Sequence, residues 1–410
     1  MLNASSLGLL LYAILSSFAG VAWGVQVVTG GEHSCAILDD GSVKCWGWNT
    51  YGQLGLGTNN EKVKVPTAVN LGSYKAISLC LGEKHMCVVL SDGSAKCTGD
   101  NTYGQLGDEL TGSKNTLIHE TSVVGLGTGT TTSITCGAKH NCAILSTGEI
   151  RCWGSNSEGQ LGLGPMGEGG YGIHRSPEKV IPYWSENKKA VQLALGLTHS
   201  CALIDDGSVH CWGGNHYGQM GSSAVPYSSI TAQPKVDVPN GFGPGTTQMI
   251  TSGPVSRHAC AVSGGKVMCW GSNTYGQVGV ATLPSPPSPP SPPPSPANVE
   301  WTAVNANGIV FEEQGSAYNI SVGGDYNHDI GHTCILLNGS VECWGSNTGG
   351  QLGPTSSVGS THQGVSINFP EGRTVKSISA GGGSHACAVL DDDSVVCWGK
   401  WLLRADRGCY

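Results

Sequence analysis

The sequence predicts an all-β chain: a seven-bladed β-propeller in which each blade carries a cross-strand disulfide. Three observations predict it. The pattern His-x-Cys returns seven times, at His33, His85, His140, His199, His258, His332 and His385. A second Cys follows the first by nine or ten positions in every unit. Between these marks lie short apolar runs broken by Gly-rich turns, with no helical periodicity. Gly makes up 63 of the 410 residues, about twice its ordinary share of roughly 7%. A unit of this length cannot bury both its faces alone, so neighbours must stack.

The elements follow in chain order. Residues 7–18 are apolar and lead into Ala19, Gly20 and Ala22. Residues 1–24 therefore read as a secretory signal peptide cleaved after Ala22 or Gly24, although its n-region lacks Lys and Arg. The alternative is an uncleaved anchor, but the apolar stretch is short against the ~20 residues a span requires. Repeats begin near 30, 82, 137, 196, 253, 324 and 381. In the fourth, the alternating segment 190–195 precedes His199, and a strand runs on from Cys201. Asp205-Asp206-Gly207-Ser208 make a turn, and a further strand ends at Cys211-Trp212. Trp-Gly follows the second Cys in six units, and Thr98-Gly99 replaces it in the second. Asn-x-x-Gly-Gln comes next, from Asn49, Asn101, Asn156, Asn215, Asn273 and Asn347. Segments such as Val63-Lys64-Val65-Pro66 then supply a fourth strand. About four short strands per unit describe a propeller blade, and closing seven into a ring removes the end edges. The seventh unit stops at Cys397-Trp398-Gly399-Lys400 without the loop. Residues 25–29 either begin blade one or pair with the last blade, and 401–404 are the candidate for the missing strand.

Cysteine pairing follows from hairpin geometry. The tip at Asn338-Gly339 is a two-residue hairpin signal, and Gly264-Gly265 is its counterpart one unit earlier. Both hairpin lengths leave the two Cys directly opposite one another. A non-hydrogen-bonded pair has Cα atoms ~4.5 Å apart, which suits a disulfide. Seven staples are expected: Cys35–Cys45, Cys87–Cys97, Cys142–Cys152, Cys201–Cys211, Cys260–Cys269, Cys334–Cys343 and Cys387–Cys397. Metal is the alternative, but each unit offers only three ligands and Cys-x-x-Cys is absent. A leader also implies an oxidising compartment. Cys80 and Cys136 occupy like places in adjacent units and are candidates for an interblade bridge. Seventeen Cys is an odd number, and Cys409 is the candidate for the thiol left over.

Other features narrow the function. A net charge of −8 argues against a nucleic-acid binder or a polybasic membrane-surface protein. No Gly-x-Ser-x-Gly, phosphate loop, dinucleotide fingerprint or His-Glu-x-x-His occurs. No catalytic, cofactor-binding or metal-binding residue is assigned. The seven aligned His read as one structural hydrogen bond repeated, and Trp46, Trp153, Trp212, Trp270, Trp344 and Trp398 as interblade packing that needs an indole N–H partner. Acidic turns such as Asp39-Asp40, Asp205-Asp206 and Asp391-Asp392-Asp393 read as solvated hairpin tips. The Ser/Pro run at 283–296 has almost no backbone donors and reads as polyproline II of roughly 40 Å. Asn319 and Asn338 head Asn-x-Ser acceptors for glycans.

The unit Gly-x-x-His-x-x-Ala…Gly-x-Val…Trp-Gly-x-Asn-x-x-Gly-Gln-Leu-Gly resembles the RCC1 repeat (regulator of chromosome condensation), whose architecture the bacterial β-lactamase inhibitor propeller shares. The resemblance covers residues 25 to about 400 and implies seven blades. The cysteines depart from the nuclear member's pattern and are similar to those of a secreted branch that includes the crinkly-type receptor ectodomains of plants. The Pro run resembles hydroxyproline-rich segments of plant and algal wall glycoproteins. Together these imply a secreted, non-catalytic protein-binding or scaffold propeller, extracellular or cell-wall associated. It would be a monomer without cofactor or membrane attachment after leader cleavage, taking a protein or glycan ligand on a rim. The irregular stretches 164–184, 222–245 and 301–315 are the places expected to specify that ligand. Analogy with the nuclear member gives the alternative of a guanine nucleotide exchange factor for a small GTPase. An enzyme with a pocket at the central channel is a third reading.

Overall fold

Each repeat folds into one antiparallel sheet whose strands follow chain order from the axis outward. The architecture is seen in a computed structural model that describes residues 24–400 apart from 118–121, 128–129, 165–171, 181–183, 186, 222–227, 230–244, 246, 265, 281–298, 311–318, 326–329, 354–355, 357 and 370–371. The leader, the Ser/Pro run and Cys409 lie outside the described residues.

Blade one comprises Gln26–Thr29, His33–Ile37, Val43–Trp48 and Lys62–Ala68. Blade two has Ala76–Leu81, His85–Leu90 and Ala95–Gly99. Blade three has Thr131–Cys136, His140–Leu145, Ile150–Ser155 and Ile173–Lys179. Blade four has Ala190–Leu195, His199–Ile204, Val209–Gly214 and Ser228–Ser229. Blade five has Thr247–Thr251, His258–Ser263, Lys266–Ser272 and Val299–Val310. Blade six has Asn319–Gly324, Gly331–Leu337, Ser340–Ser346 and Ser360–Ile367. Blade seven has Val375–Ala380, His385–Leu390 and Val395–Gly399. Residues 25–29 thus open blade one, and their strand pairs with its second strand.

Packing sets the pattern within a blade. Second strands are covered on both faces, so they read as unbroken apolar runs such as HMCVVL and HNCAIL and are buried throughout. Outer strands such as Lys62–Ala68 face solvent and are mostly exposed. At the hairpin tips, Asp40, Asp92, Asp206 and Asp392 accept the backbone N–H of the Ser two residues on. The acidic tips therefore cap their own turns.

In blades one, three, five and six the sheet is irregular at the Trp-Gly step. The ladder to the outer strand shifts register there, for example between Cys45 and Gly47. Gly47, Gly154 and Gly271 take φ between 106° and 108°, a region closed to most side chains. A Cβ on Gly154 would also strike the backbone of Lys139 and His140. This is why Gly99 persists in blade two although Thr98 has replaced the Trp.

The ring is closed at the axis. Inner strands of all adjacent blades touch, blade seven against blade one included. Main-chain bonds run between neighbours from Gly31 N to Gly82 O, Glu83 N to Ala138 O, Ala138 N to Gly196 O and Leu197 N to Ser256 O, and from Gly382 N back to Gly30 O. Side chains reinforce the closure, with Thr29 Oγ1 2.7 Å from Ser379 Oγ.

Two expectations are corrected. Among the described residues blades two and seven have three strands rather than four, and the candidate for a further strand at 401–404 lies outside the described residues. In blade two the outer edge is covered by isolated bridges, Lys96 to Ser122 and Gly99 to Lys114. The stretches 164–184 and 301–315 are not irregular throughout: Ile173–Lys179 and Val299–Val310 are outer strands. The alternating Val299-Glu300-Trp301-Thr302 start was a strand signal. Two bulges against Lys266–Ser272 let the second of these strands run unusually long.

All seven hairpin pairs are bonded, each with Cα atoms 4.0 or 4.1 Å apart. In every blade the two Cys lie opposite in register, as Cys201 does to Cys211. An eighth bond joins Cys80 to Cys136, in the inner strands of blades two and three. It closes a separation of 56 residues, against 10 for Cys201–Cys211. In the chain-entropy picture these are worth about 4 and about 2.7 kcal/mol respectively. Replacing Cys80 and Cys136 together by Ala should therefore lower the urea midpoint more than replacing Cys201 and Cys211. Equal shifts would show that the interblade strap restrains no more of the unfolded chain than a blade staple does.

Candidate functional site

The repeated polar residues converge on the clefts between blades. All seven His are buried, and burial depresses their imidazoles to about 3 for His33, His140, His199, His258 and His332 and to about 4 for His85 and His385. Each is therefore neutral at pH 7 and has a single N–H to donate. His140 Nε2 lies 3.0 Å from Ser200 Oγ of the next blade. Ser200 Oγ in turn donates to Gln160 O at 2.8 Å. With that hydroxyl proton committed, His140 Nε2 is the donor to Ser200. His258, Thr333 and Gln277 O form the same relay at 2.9 and 2.8 Å. His85, Asn141 and Gln105 O form it at 2.7 and 2.6 Å.

The partner is always the residue after the His of the following blade, and that rule explains the exceptions. The positions facing His33, His199 and His332 are Met86, Ala259 and Ala386. His199 turns instead to Ser252 Oγ at 3.3 Å. His33 and His332 have no hydrogen-bond partner on either nitrogen. The main chain of His85 and His385 lies near them without completing a bond.

The tryptophans meet the same atom from the other side. Indole Nε1 of Trp153, Trp212, Trp270, Trp344 and Trp398 donates to the main-chain O of Gln105, Gln160, Gln219, Gln277 and Gln351 at 2.9 or 3.0 Å. Thr98 reaches Gly52 O instead. Each Gln carbonyl is presented by a loop that closes on itself. Asn49 Oδ1 accepts Leu54 N–H, and Gln53 Oε1 accepts Tyr51 N–H; the other loops repeat this. The Gly before each His has a related cause, since a Cβ on Gly82, Gly137 or Gly196 would overlap the imidazole.

Outside these clefts the loop rim carries charge. Lys84 Nζ sits 5.0 Å from the Tyr51 ring centre, Lys139 Nζ 4.5 Å from Tyr103, and Arg257 Cζ 5.0 Å from Tyr217. Each cation precedes the His of one blade and stacks on the loop Tyr of the blade before. All six side chains are half-exposed. Between blades three and four the equivalent loop position is Glu158, 3.2 Å from His216. At the axis, Ala138, Leu197 and Val255 pack into a small apolar cluster. The rim pairs were overlooked in the sequence, where the signal was a Lys or Arg before His85, His140 and His258.

The sequence-predicted residues are placed as follows. Sulfurs of Cys80, Cys87 and Cys136 lie within 4.8 Å of one another, yet all three are consumed in disulfides, so no thiolate is left to ligate a metal. Asn338 is exposed at a hairpin tip with φ 50°. Asn319 is half-buried at the start of the inner strand of blade six. Most of 222–245 and parts of the other two variable stretches lie outside the described residues.

A family model, the regulator of chromosome condensation (RCC1) repeat, matches residues 25–53, 76–105, 132–160, 190–219, 255–277 and 375–400. A second model of the same repeat matches 40–89 and 147–203, and the two together cover more than half of the chain. The chain belongs to the RCC1 repeat family. The ultraviolet-B receptor UVR8 of Arabidopsis thaliana is 25% identical over 376 residues, 91% of this RCC1 chain and 76% of the receptor. The secretion-regulating guanine nucleotide exchange factor of Mus musculus is 28% identical over 274 residues, 63% of this chain and 57% of that one. The crystal structure of Prp20p from Saccharomyces cerevisiae, described with its binding to Gsp1p and histones, has the same fold. Its TM-score is 0.67 at 21% identity, over 97% of this chain and 84% of that one.

Two outcomes test the clefts. Ala386→Ser places a hydroxyl where Ser200 and Thr333 have theirs, facing the unpaired His332. It should raise stability by about 0.5–1.5 kcal/mol, read as a higher urea midpoint; no gain would refute the pairing rule. The second concerns pH. Unfolded imidazoles take up protons below about 6.5, while the buried set stays neutral to about 4 or 3. The unfolded chain binds more protons in that window, so stability falls as pH drops from about 6.5 toward 4. Urea midpoints at pH 7 and 5 should show this, and His33→Leu should flatten the slope by one proton with little loss at pH 7.

Proposed function

We propose that the chain is a secreted, non-catalytic binding or scaffold propeller that meets a protein or glycan ligand on its loop rim. The observation that carries this reading is the set of eight disulfides, one in each blade and one between blades. Such density belongs to oxidising compartments. The buried His and Trp groups favour binding over catalysis, because they are spent on interblade bonds or sealed in the clefts.

The rim pairs Tyr51–Lys84, Tyr103–Lys139 and Tyr217–Arg257 are the described surface best suited to a partner. Aromatic faces suit sugars and proteins alike, and the cations favour an acidic partner. An extracellular or wall location also rests on the apolar leader, the Ser/Pro run and the two Asn-x-Ser sites. Guanine nucleotide exchange is the second reading, favoured by the similarity to the mouse exchange factor. Small GTPases are intracellular, in compartments that keep thiols reduced, and a fold does not bring an activity with it.

Intact mass of the protein from its native host, alkylated without and with reduction, separates the two. Loss of about 22 to 24 residues, eight protected pairs and added hexose or pentose is expected. A full-length chain with all 17 thiols open to alkylation would overturn secretion and send the exchange reading to assay.

A further inference from the structure

Blade two has a cysteine row that its sister blades lack. Its three strands set Cys80, Cys87 and Cys97 directly opposite one another in register, so the three side chains share one face of the sheet. At the place of Cys80 the other blades have Val28, Thr135, Ala194, Thr251, Ser321 and Ser379. Blade three adds a fourth Cys to the same spot. Thr135 lies opposite Cys142, so alternation turns the next residue, Cys136, to the other face of its sheet. There it shares one core cluster with Cys80, Cys87 and Cys97. All four are buried. The sulfurs of Cys80, Cys87 and Cys136 lie within 4.8 Å of one another. Cys97 stands across the hairpin from Cys87, their Cα atoms 4.1 Å apart.

In the disulfide-bonded chain these sulfurs are paired as Cys80–Cys136 and Cys87–Cys97. Reduction turns them into four thiols in one cluster. A tetrahedral zinc ion with Zn–S bonds of ~2.3 Å sets its sulfurs about 3.8 Å apart. The three clustered sulfurs are already near that spacing. Three ligands per repeat argue against metal only while each repeat is counted alone, and the ring brings the fourth from the next blade. Among the core clusters, each other hairpin pair has no Cys from a neighbouring blade beside it.

The geometry points to a buried tetrathiolate site for a zinc-class ion in the reduced chain, held by Cys80, Cys87 and Cys97 of blade two and Cys136 of blade three. Val89, Leu106, Ile134 and Trp153 pack around it. A closed set of four sulfurs leaves no position for water or substrate, so the ion is structural. Loading releases four protons, one from each thiol, as Zn2+ binds the four thiolates. Unloading is oxidative. Two molecules of a small-molecule disulfide take up four electrons and leave as four thiolates, the four sulfurs pair as they do in the structure, and Zn2+ departs. Metal and disulfides are thus alternative ties between the same two blades, since either one joins Cys136 to blade two. The site belongs to the reduced chain, whereas secretion is decided on protein from the host, so this inference and the proposed function fail separately.

The test takes the full chain, reduced with a phosphine in the absence of oxygen, and titrates it with Co2+ and then Zn2+. One Co2+ per chain should bind with the intense visible bands of a tetrahedral thiolate site, and Zn2+ should displace it and bleach them. Cys80→Ser with Cys136→Ser should abolish the bands while keeping the sheet circular dichroism of the reduced parent. Cys97→Ser alone should change the spectrum to that of a three-sulfur site. Cys201→Ser with Cys211→Ser, which removes as many thiols from blade four, should leave the bands as they are. Oxidised glutathione added to the zinc form should release the ion and yield linked Cys80–Cys136 and Cys87–Cys97 peptides. Absence of the bands in the reduced parent, whether or not its sheets form, would overturn the inference. So would bands indifferent to the Cys80 and Cys136 changes, equal loss in the blade-four variant, or equally tight Co2+ binding by the disulfide-bonded chain.

Discussion

The main-chain carbonyl of the loop glutamine is the atom on which neighbouring blades meet. It accepts the indole of the following Trp and, in three clefts, a side chain that also serves the buried His of its own blade. A sheet cannot cover both its faces, so every blade depends on what the next one brings. Burying an indole and an imidazole without acceptors would cost far more than packing returns. The loop holds the carbonyl in place through Asn and Gln bonds to its own backbone, and the glycines leave the space that close approach demands. Much of the repeated sequence is thus accounted for by one interface copied around a ring.

That accounting shapes the functional reading. Residues that look chemically able, the seven His and the regular Trp, are sealed in the clefts. The imidazoles are neutral because burial disfavours their charge. What differs from blade to blade lies on the loop rim, where a cation stacks on the neighbouring blade's Tyr at three of the clefts. The repeats build a frame, and the irregular positions on it carry the differences between blades. The disulfides act on the unfolded chain rather than on that surface: seven constrain local hairpins and the eighth ties two blades together.

The clefts are not equivalent, and the differences trace to single residues. Met86 and Ala386 stand where Ser, Thr or Asn would accept from the preceding His, and there the imidazole is left unpaired. The seam between blades seven and one departs further, with its relay reversed at Ser34 and the Trp46 donor without a loop carbonyl among the described residues. Closure of the ring does not depend on that donor, because the axial main-chain bonds from Gly382 to Gly30 and the contacts of Thr29 with Ser379 complete it.

Residue order by itself determined what happens inside a blade. Two-residue alternation, the Gly-bearing hairpin tips and the interval between cysteines are local, so strand pairing and the seven staples could be read directly. Where local signals are weaker, expectation and fold part: the stretch 301–315, expected to be irregular, holds most of the strand Val299–Val310, whose alternation sits beside a Ser/Pro run. Only the tertiary structure decided what passes between blades. His140 finds Ser200 and Lys139 covers Tyr103 because ring closure sets inner strands and loops of successive blades side by side, and the same closure joins Cys80 to Cys136, whose like places in adjacent units had made them candidates for a bridge. Those pairs lie 36 to 60 residues apart in the chain, and no local periodicity records a contact whose geometry belongs to the ring.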